Sequence, residues 1–262
     1  MTAKRPFISL RNVRKVYRAG TSEFLAVSDV TMDVREGELV SLVGPSGCGK
    51  TTVLKILAGL HDADGGSVTI GNADTPFDPG RDVGMVFQQA LLLKWRTILD
   101  NVLLPAEIVG LPIKAARARA RDLLNLVGLS GYEDKYPQQL SGGMQQRTAI
   151  ARAFVHDPKL ILMDEPFGAL DALTRDQLVL DLQRIWNERR MTVLFITHSV
   201  AEAVFLSDRV VVMTPRPGKI DRVIDIDLPR PRTLAMRETQ RFADYNREIL
   251  SLFLARGVLR EH

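Results

Sequence analysis

The sequence predicts an α/β fold, in which a mostly parallel sheet is covered by helices and interrupted by a helical insert. Short, almost wholly apolar runs separated by helix-like segments are typical of strands buried on both faces of such a sheet. These runs occupy residues 39–43, 160–163, 192–196 and 210–213. Strand patterns are absent from residues 90–157, which predicts the insert. A chain of 262 residues can bury a full core without disulfides or structural metal.

The N-terminal part of the chain has the pattern of short strands. Residues 7–10 and 13–17 form two strands or one bent strand, and residues 30–34 alternate between apolar and polar, as in a half-buried strand. Residues 68–70 lie between glycines and form a further short strand. A helix over residues 52–60 follows the first apolar run and the glycine-rich loop after it.

Helices are predicted from spacing and composition. Residues 114–127 and 141–154 form helices of the insert, and residues 174–189 form a helix that flanks the core. After a break at residues 229–231, apolar residues at helical spacing predict a docking helix; they are Phe242, Tyr245, Ile249 and Leu252. The arginines of this tail are interleaved with acidic residues, so we expect a solvated helix face; they are Arg230, Arg232, Arg237, Arg241 and Arg247.

Composition and charge exclude several classes of protein. Lysine plus arginine is 35 and aspartate plus glutamate is 31, and this excess of +4 is too small to predict a nucleic-acid partner. The single cysteine, Cys48, excludes a disulfide framework and favours a cytosolic location. The longest candidate for a membrane span, residues 192–201, is interrupted by His198. No apolar run follows Lys4 and Arg5, so we expect no signal peptide.

The loop at residues 44–51 fits the phosphate-binding pattern G-x-x-x-x-G-K-[ST], with a predicted strand before it and a helix after it. Glycines let backbone N–H groups approach phosphate oxygens, and the helix N-terminus directs its positive dipole end at the anion. Lys50 can reach the β- and γ-phosphates, and Thr51 can ligate Mg²⁺. The predicted nucleotide-binding residues here are Gly44, Pro45, Ser46, Gly47, Cys48, Gly49, Lys50, Thr51 and Thr52.

Two adjacent acidic residues, Asp164 and Glu165, end the second apolar run, where open α/β sheets place their chemistry. Asp164 is placed to hold Mg²⁺ through water, and Glu165 is placed to act as general base on an attacking water. The second acid favours hydrolysis over phosphoryl transfer to another substrate. The alternative is a pair of solvated loop acids, which the phosphate loop in the same chain disfavours.

A second predicted helix N-terminus carries Ser141, Gly142 and Gly143. A serine and two glycines that open a helix form another anion-binding end. Ser141 also serves as an N-cap, but an N-cap alone leaves the two glycines unexplained. One chain therefore carries two phosphate-binding helix ends.

With these motifs in order, the chain resembles the ATP-binding-cassette (ABC) ATPases over about residues 7–229. In this resemblance Tyr17 matches the aromatic residue that stacks on adenine. Gln88 matches the residue that senses Mg²⁺ and the attacking water, and it is a candidate metal contact. His198 matches the switch histidine that contacts the γ-phosphate, and Asp171 belongs to the D-loop.

The resemblance implies a P-loop NTPase core with a mostly parallel sheet, an N-terminal antiparallel β subdomain and an inserted helical subdomain. The ATPase domain takes residues 1–228, in which the core is residues 1–89 and 158–228 and the helical subdomain is residues 90–157. Residues 229–262 form a C-terminal helical tail.

The resemblance also implies a head-to-tail dimer, in which ATP lies between the phosphate loop of one subunit and Ser141, Gly142 and Gly143 of the other. ATP closes this dimer and hydrolysis reopens it, which drives a membrane partner. Met144 and Gly168 stand where the commonest family pattern has glutamine and serine, and neither change removes a phosphate ligand.

Three kinds of ABC protein carry such motifs: the ATPase of a membrane transporter, a soluble ATPase of translation or DNA repair, and a regulatory module without turnover. Translation-type members carry two cassettes, and repair-type members carry coiled coils or zinc hooks, whereas this chain has one phosphate loop and one cysteine. A module without turnover would lack Glu165 or His198. The transporter subunit is therefore favoured.

The subclass rests on residues 89–101, 164–174, 216–218 and 229–232, which resemble importers for nitrate, sulfonate and taurine, although Lys94 replaces a usual proline. This resemblance implies permease subunits, indirectly a solute-binding protein, and a position on the cytoplasmic side of the inner membrane. The alternatives are an ATPase for another solute or for lipoprotein release.

Two further expectations concern single segments. Cys48 lies near Lys50 and a helix N-terminus, so we expect a favoured thiolate that N-ethylmaleimide alkylates. The apolar side chains of residues 90–97 either belong to the core or line a groove for a short helix of the membrane subunit; they are Leu91, Leu92, Leu93 and Trp95.

Overall fold

The computed structural model describes residues 6–20, 22–71 and 76–259. The chain forms two compact units, one made of residues 1–79 and 192–262 and the other of residues 80–191. Lys4 and Arg5, on which the signal-peptide prediction rests, and the outer ends of the predicted domains lie outside the described residues. The subdomain boundaries stay predictions.

The strands, in chain order, are β1 (Ile8–Ala19), β2 (Ser22–Val34), β3 (Leu39–Val43), β4 (Gly65–Ile70), β5 (Val83–Val86), β6 (Leu160–Asp164), β7 (Thr192–Ile196), β8 (Arg209–Met213) and β9 (Ile220–Asp225). The helices are α1 (Lys50–Leu57), α2 (Pro79–Asp82), α3 (Ile98–Ile108), α4 (Ile113–Leu126), α5 (Gly142–Phe154), α6 (Ala172–Arg189), α7 (Val200–Leu206) and α8 (Gln240–Ala255). Short 3₁₀ turns lie at Pro137–Gln139 and Leu234–Glu238.

The first unit contains an antiparallel sheet in the order β2-β1-β4. Ile8 of β1 lies opposite Val34 of β2 on one side and Ile70 of β4 on the other. Of the two predicted alternatives, the single bent strand is correct, because β1 is continuous and its pairing register shifts between Leu10 and Val13. This sheet confirms the expected antiparallel N-terminal part of the fold.

The first unit also contains β3 between two parallel neighbours, β7 and β8, with β9 antiparallel to β8. Every residue of β3 and β7 is buried, as their apolar sequences require. The phosphate loop and α1 follow β3, and α7 follows β7. Because β3 and β7 run in parallel, both loops leave the sheet at the same edge.

The C-terminal tail docks through α8, as predicted, and this helix packs against α7. The buried residues of α8 are Phe242, Ile249 and Phe253. Tyr245 is half-buried, and its hydroxyl accepts a hydrogen bond of 3.0 Å from the backbone N–H of Asp227.

The prediction that the tail arginines form a solvated helix face is wrong for those before α8. Arg232 is only 2% exposed. Its guanidinium donates to the carbonyl oxygens of Val204, Phe205, Ser207, Ile226 and Leu228. Arg230 donates to the carbonyl oxygen of Leu206 at 2.6 Å and to the carboxylate of Asp208 at 2.9 Å. The sequence shows the charges of these arginines but not the acceptor groups that converge on them.

Two other tail arginines agree with the prediction. Arg241 pairs with Asp227, and Arg247 pairs with Asp244, and all four side chains are largely exposed. Arg237 places its guanidinium carbon 4.9 Å from the ring centroid of Phe205, so it contacts α7.

The second unit contains the parallel pair β5 and β6 and the helices α3 to α6. Residues 90–157 are all described, and they contain α3, α4 and α5 but no strand, as the predicted insert requires. The sequence reading missed β5, α3 and β9. In the described part of the chain, no helix has the length and apolar character needed to cross a membrane.

Candidate functional site

The phosphate loop joins β3 to α1 in the first unit. Gly49, the N-cap of α1, has a φ of 102°, and a Cβ at this position would overlap with the side chain of Val27. Only glycine fits this close approach and this left-handed backbone without strain. The buried Lys50 ammonium donates hydrogen bonds to the carbonyl oxygens of Gly44 at 2.9 Å and Pro45 at 3.1 Å. The Lys50 ammonium is thus held against the loop that is predicted to bind the phosphates of the nucleotide.

The expectation of a reactive Cys48 thiolate is wrong. The side chain is 0% exposed, and burial raises the pKa of its thiol. The Lys50 ammonium, 3.9 Å from the sulfur, opposes this shift but does not overcome it. Cys48 therefore fills space beneath the loop, because burial both hides the thiol and suppresses the nucleophilic thiolate.

Tyr17, the predicted adenine platform, is half-buried on β1. Its ring lies 6.5 Å from that of Phe24 at an interplanar angle of 21°, and 5.6 Å from that of His61 in an edge-on arrangement. Its hydroxyl donates to the hydroxyl of Thr52 at 3.5 Å. The structure therefore brings Tyr17 together with one residue of the predicted nucleotide-binding set.

His198 emerges at the same sheet edge as the phosphate loop. Leu42 of β3 lies opposite Ile196 of β7, and Gly44 and His198 each follow two residues later. Ser199 caps α7, since its hydroxyl accepts a hydrogen bond of 3.2 Å from the N–H of Glu202. The N–H of Ser199, which the predicted capping box would pair with the Glu202 side chain, donates instead to the hydroxyl of Thr197 at 3.0 Å. The carboxylate of Glu202 in turn accepts a hydrogen bond of 2.5 Å from the hydroxyl of Thr197. Thr197 and Ser199, which flank the exposed His198, are therefore both bonded to Glu202.

In the second unit, Gln88 and Glu165 leave neighbouring parallel strands at the same level. Val86 of β5 lies opposite Met163 of β6, and the two site residues each follow two positions later. A Cβ built on Gly168 would lie 3.3 Å from Nε2 of Gln88 and 3.5 Å from the carbonyl oxygen of Glu165. The three residues are therefore close neighbours.

The backbone at Glu165 is in a conformation that a side-chain-bearing residue rarely adopts. Its φ is 49°, in the left-handed region, and the residue directly follows Asp164 at the end of β6. Such conformations cost about 1–3 kcal/mol and cluster at functional sites, where the surroundings impose them.

Ser141 caps α5, as predicted, because its hydroxyl accepts a hydrogen bond of 3.3 Å from the N–H of Met144. Ser141 and Gly142 are exposed at this helix end. A Cβ on Gly143 would lie 2.5 Å from the side chain of Thr174 in α6. The N-termini of α5 and α6 are therefore adjacent within this unit.

Asp171 caps α6 in the same way, and its carboxylate accepts a hydrogen bond of 3.0 Å from the N–H of Thr174. This bond lowers the pKa of Asp171 below its usual range. The side chain of Asp171 therefore has a structural role as a helix cap, in addition to its predicted role in nucleotide binding. This helix N-terminus lies next to Gly143.

The sequence reading missed Gln146, which links the helix carrying Ser141 to the residue before Gln88. Gln146 is buried, and its Nε2 donates a hydrogen bond of 2.9 Å to the carbonyl oxygen of Phe87. The signal available in the sequence was that Gln146 shares a face of α5 with Gly143, Ala149 and Ile150, which predicts a buried position for a polar side chain.

The segment of residues 90–97 is held by two buried polar side chains that the sequence reading also missed. Arg152 donates to the carbonyl oxygens of Ala90 and Leu91 at 2.8 and 2.9 Å. Asn101 accepts from the N–H of Leu93 at 2.7 Å and donates to the carbonyl oxygen of the same residue at 3.0 Å. The segment is thus anchored through its backbone.

The apolar side chains of this segment are not core residues. Leu91 is 55% exposed and Trp95 is 75% exposed, while Leu92 and Leu93 are half-buried. The alternative that all four belong to the core is therefore wrong. Leu91 also has a φ of 45°, an unusual backbone conformation for leucine.

The chain is similar to known ATP-binding proteins. A family model described as "ABC transporter" matches residues 27–168. The aliphatic sulfonates import ATP-binding protein SsuB of Bacillus cereus is 37% identical over 254 residues, which cover 97% of this chain and 98% of SsuB. The nitrate import ATP-binding protein NrtC of Synechococcus elongatus is 42% identical over 250 residues, which cover 94% of this chain and 38% of NrtC.

Solved structures show the same fold. A dimeric ATP-binding cassette in a post-hydrolysis state, bound to ADP and Pi, aligns with a TM-score of 0.73 and 33% identity. The alignment covers 85% of this chain and 100% of that chain. From the family match and the relatives that align over nearly its whole length, this protein belongs to the ABC transporter family, as an ATP-binding subunit with ATPase activity.

Proposed function

We propose that the phosphate loop binds ATP and that Glu165 is the general base of its hydrolysis. Glu165 takes a proton from a water whose oxygen attacks the γ-phosphorus, the bond to the β–γ bridging oxygen breaks, and ADP leaves with the electron pair. Gln88 positions this water, while Lys50 and His198 contact the γ-phosphate. The observation that carries this proposal is the constrained backbone of Glu165, which lies close to Gln88 and Gly168 at the end of β6.

Nucleotide binding also involves Tyr17, which stacks on adenine, and the whole phosphate loop. The predicted metal contacts are Thr51, Gln88 and Asp164. Their side chains fit Mg²⁺, because all three offer oxygen atoms, the ligands that Mg²⁺ prefers. When bound with ATP, Mg²⁺ neutralises charge on the phosphates. Among the described residues, no group of three or more histidine, cysteine, aspartate and glutamate side chains forms a separate metal site.

We further propose that two copies of the chain form a head-to-tail dimer, in which each ATP is completed by Ser141, Gly142 and Gly143 of the partner. The exposure of Ser141 and Gly142 at a helix N-terminus supports this arrangement, because an anion-binding end in solvent is open to a second subunit. Leu173, 83% exposed in the first turn of α6, adds an apolar side chain close by. The related cassette solved with ADP and Pi is a dimer.

For the membrane partner, we propose a docking face formed by Leu91 and Trp95 for a short helix of a permease subunit. Cavities of about 290 and 430 Å³ open beside the segment, and Leu91 lines both. The larger cavity is also lined by Gln88 and Gly142. A helix seated there would contact the residue that positions the attacking water, which couples solute arrival to hydrolysis.

The docking face is tested by Trp95→Asp, assayed by retention on membranes that contain the permease. Because Trp95 is exposed, we expect the isolated variant to keep its stability and ATP binding while membrane retention is lost. The matched control is Ile113→Asp, which places the same charge at an exposed isoleucine of α4 and is expected to be retained. Retention of Trp95→Asp, or its unfolding, would contradict the docking face.

For the transported solute, we propose a small anion of the nitrate, sulfonate or taurine type, taken up through permease subunits and a solute-binding protein at the inner membrane. The proposal is supported by relatives that are named as import ATP-binding proteins for aliphatic sulfonates and nitrate. The test is ATP hydrolysis by the ATPase–permease complex reconstituted with its binding protein. Stimulation by one of these anions supports the proposal, and stimulation only by an unrelated solute overturns it.

A further inference from the structure

One cation near the phosphate loop has no part in the mechanism above. The guanidinium carbon of Arg216 lies 3.6 Å from the ring centroid of Phe24. A Cβ built on Gly47, in the middle of the phosphate loop, would lie 3.4 Å from Nη2 of the same guanidinium. Arg216 is exposed, so a ligand in solvent can reach it. A permanent positive charge is therefore held beside the loop that binds phosphate.

The position of Arg216 is determined by the connection between β8 and β9, which is attached to the phosphate loop and to β2. Gly218 donates to the carbonyl oxygen of Ala26 at 3.1 Å and accepts from the N–H of Ser28 at 2.9 Å. A Cβ on Gly218 would overlap with the carbonyl oxygen of Cys48. Only glycine allows this close approach, which explains Gly218 of the Arg-Pro-Gly sequence by packing.

The contact with Phe24 leaves the hydrogen-bonding groups of Arg216 available. A guanidinium over an aromatic face is held by its charge and its planar surface, while its N–H groups point outward from its edge. Among the described residues, no carboxylate forms an ion pair with Arg216. The same Phe24 ring stacks beside Tyr17, the predicted adenine platform. The cation thus lies between the predicted base site and the phosphate loop.

We propose that Arg216 is a further nucleotide-binding residue, whose guanidinium donates a hydrogen bond to a phosphate oxygen of the nucleotide held by the phosphate loop. This inference rests on the proposed binding of ATP at that loop. Arginine suits the role because it forms strong charge-assisted hydrogen bonds with phosphate and keeps its charge at all physiological pH values.

The test compares the binding of Mg-ATP with that of inorganic tripolyphosphate, which carries the phosphates but no base. Arg216→Ala is expected to weaken both ligands about tenfold, which corresponds to about 1.4 kcal/mol. Arg216→Lys keeps the charge but loses the planar contact, so it should restore part of both affinities. The matched control is Lys219→Ala, which removes an exposed cation from the same connection and should leave both affinities unchanged.

The outcomes separate this inference from the proposed function. If wild-type protein and Lys50→Ala bind ATP equally well, or neither binds it, the proposed site fails and this inference fails with it. If Lys50→Ala loses ATP while Arg216→Ala binds both ligands like the wild type, only the inference is overturned. A loss confined to Mg-ATP, with tripolyphosphate unaffected, would also overturn it, because Arg216 would then support the aromatic platform instead of a phosphate.

Discussion

Removal of the buried Arg232 guanidinium tests how the C-terminal tail is attached to the first unit. Three of its hydrogen bonds are 3.0 Å or shorter and go to the carbonyl groups of Val204, Phe205 and Ser207 at the end of α7. Burial lowers the pKa of Arg232 to about 10, so the side chain remains a cation at neutral pH. A cation at a helix C-terminus is also favoured by the helix dipole.

The magnitude follows from these bonds. A hydrogen bond from a charged donor is worth about 1.5 kcal/mol at the low end of its range, so the three short bonds of Arg232 contribute about 4.5 kcal/mol. Removal of the guanidinium also leaves buried carbonyl acceptors without donors, and each such unsatisfied group typically costs about 1–3 kcal/mol. We therefore expect Arg232→Ala to lower the free energy of unfolding by about 3–5 kcal/mol.

The assay is urea unfolding followed by circular dichroism. Arg232→Lys should fall between the wild type and Arg232→Ala, because an ammonium offers fewer donors in a less suitable geometry. The control is Arg247→Ala, whose ion pair with Asp244 is exposed and contributes little. If Arg232→Ala unfolds within about 1 kcal/mol of the wild type, a difference typical of surface ion pairs, the reasoning from buried carbonyl groups is refuted.

Three further predictions concern the site and its supports. N-ethylmaleimide should label Cys48 in urea but not in the folded protein at neutral pH, because burial hides the Cys48 thiol and raises its pKa. Rapid labelling of the folded protein, detected by mass spectrometry, would contradict this prediction. Ser141→Arg should abolish ATP hydrolysis, and mixing it with Lys50→Ala should restore at most one site per dimer; normal hydrolysis by Ser141→Arg alone would exclude composite sites. Ser199→Ala should lower the free energy of unfolding by about 1 kcal/mol, because α7 loses the N-cap bond to the N–H of Glu202. An unchanged midpoint of thermal unfolding would contradict a stabilising role for this cap.

The sequence was most informative where one local pattern determines both structure and chemistry. The phosphate loop needs glycines and a lysine, which are visible in residues 44–51, and a following helix, which the next residues, 52–60, predicted. The apolar runs of β3 and β7 predicted buried strands, since few other structures bury every residue of such a run. The caps at Ser141 and Ser199 were equally local, and both are present.

Elements that depend on distant partners could not be predicted in the same way. The strand β5 has four residues, and its Gly84 packs directly on the backbone of Ala153, a contact that no local pattern reveals. The helix α3 contains Pro105, which weakens its helical signal. The strand β9 is rich in charged residues because it pairs with β8 alone in the first unit.

The errors over Arg232 and Cys48 have a common physical cause. In both cases the sequence shows the charged or reactive group, but the outcome depends on burial, which long-range packing decides. For Arg232, the carbonyl groups of Val204, Phe205 and Ser207, which are distant in the sequence, replace the solvent. For Cys48, the loss of solvent outweighs the nearby lysine. Charge patterns therefore predict a solvated surface only where no buried acceptors converge.

The most direct test of the central claim is steady-state ATP hydrolysis by Glu165→Gln, measured as phosphate release. If Glu165 is the general base, the rate should fall about 10²–10⁴-fold while ATP binding is retained and an ATP-bound dimer accumulates. The control is Glu188→Gln, which makes the same change at an exposed position of α6 and should hydrolyse ATP normally. Near-normal turnover by Glu165→Gln would contradict the assignment of the catalytic base.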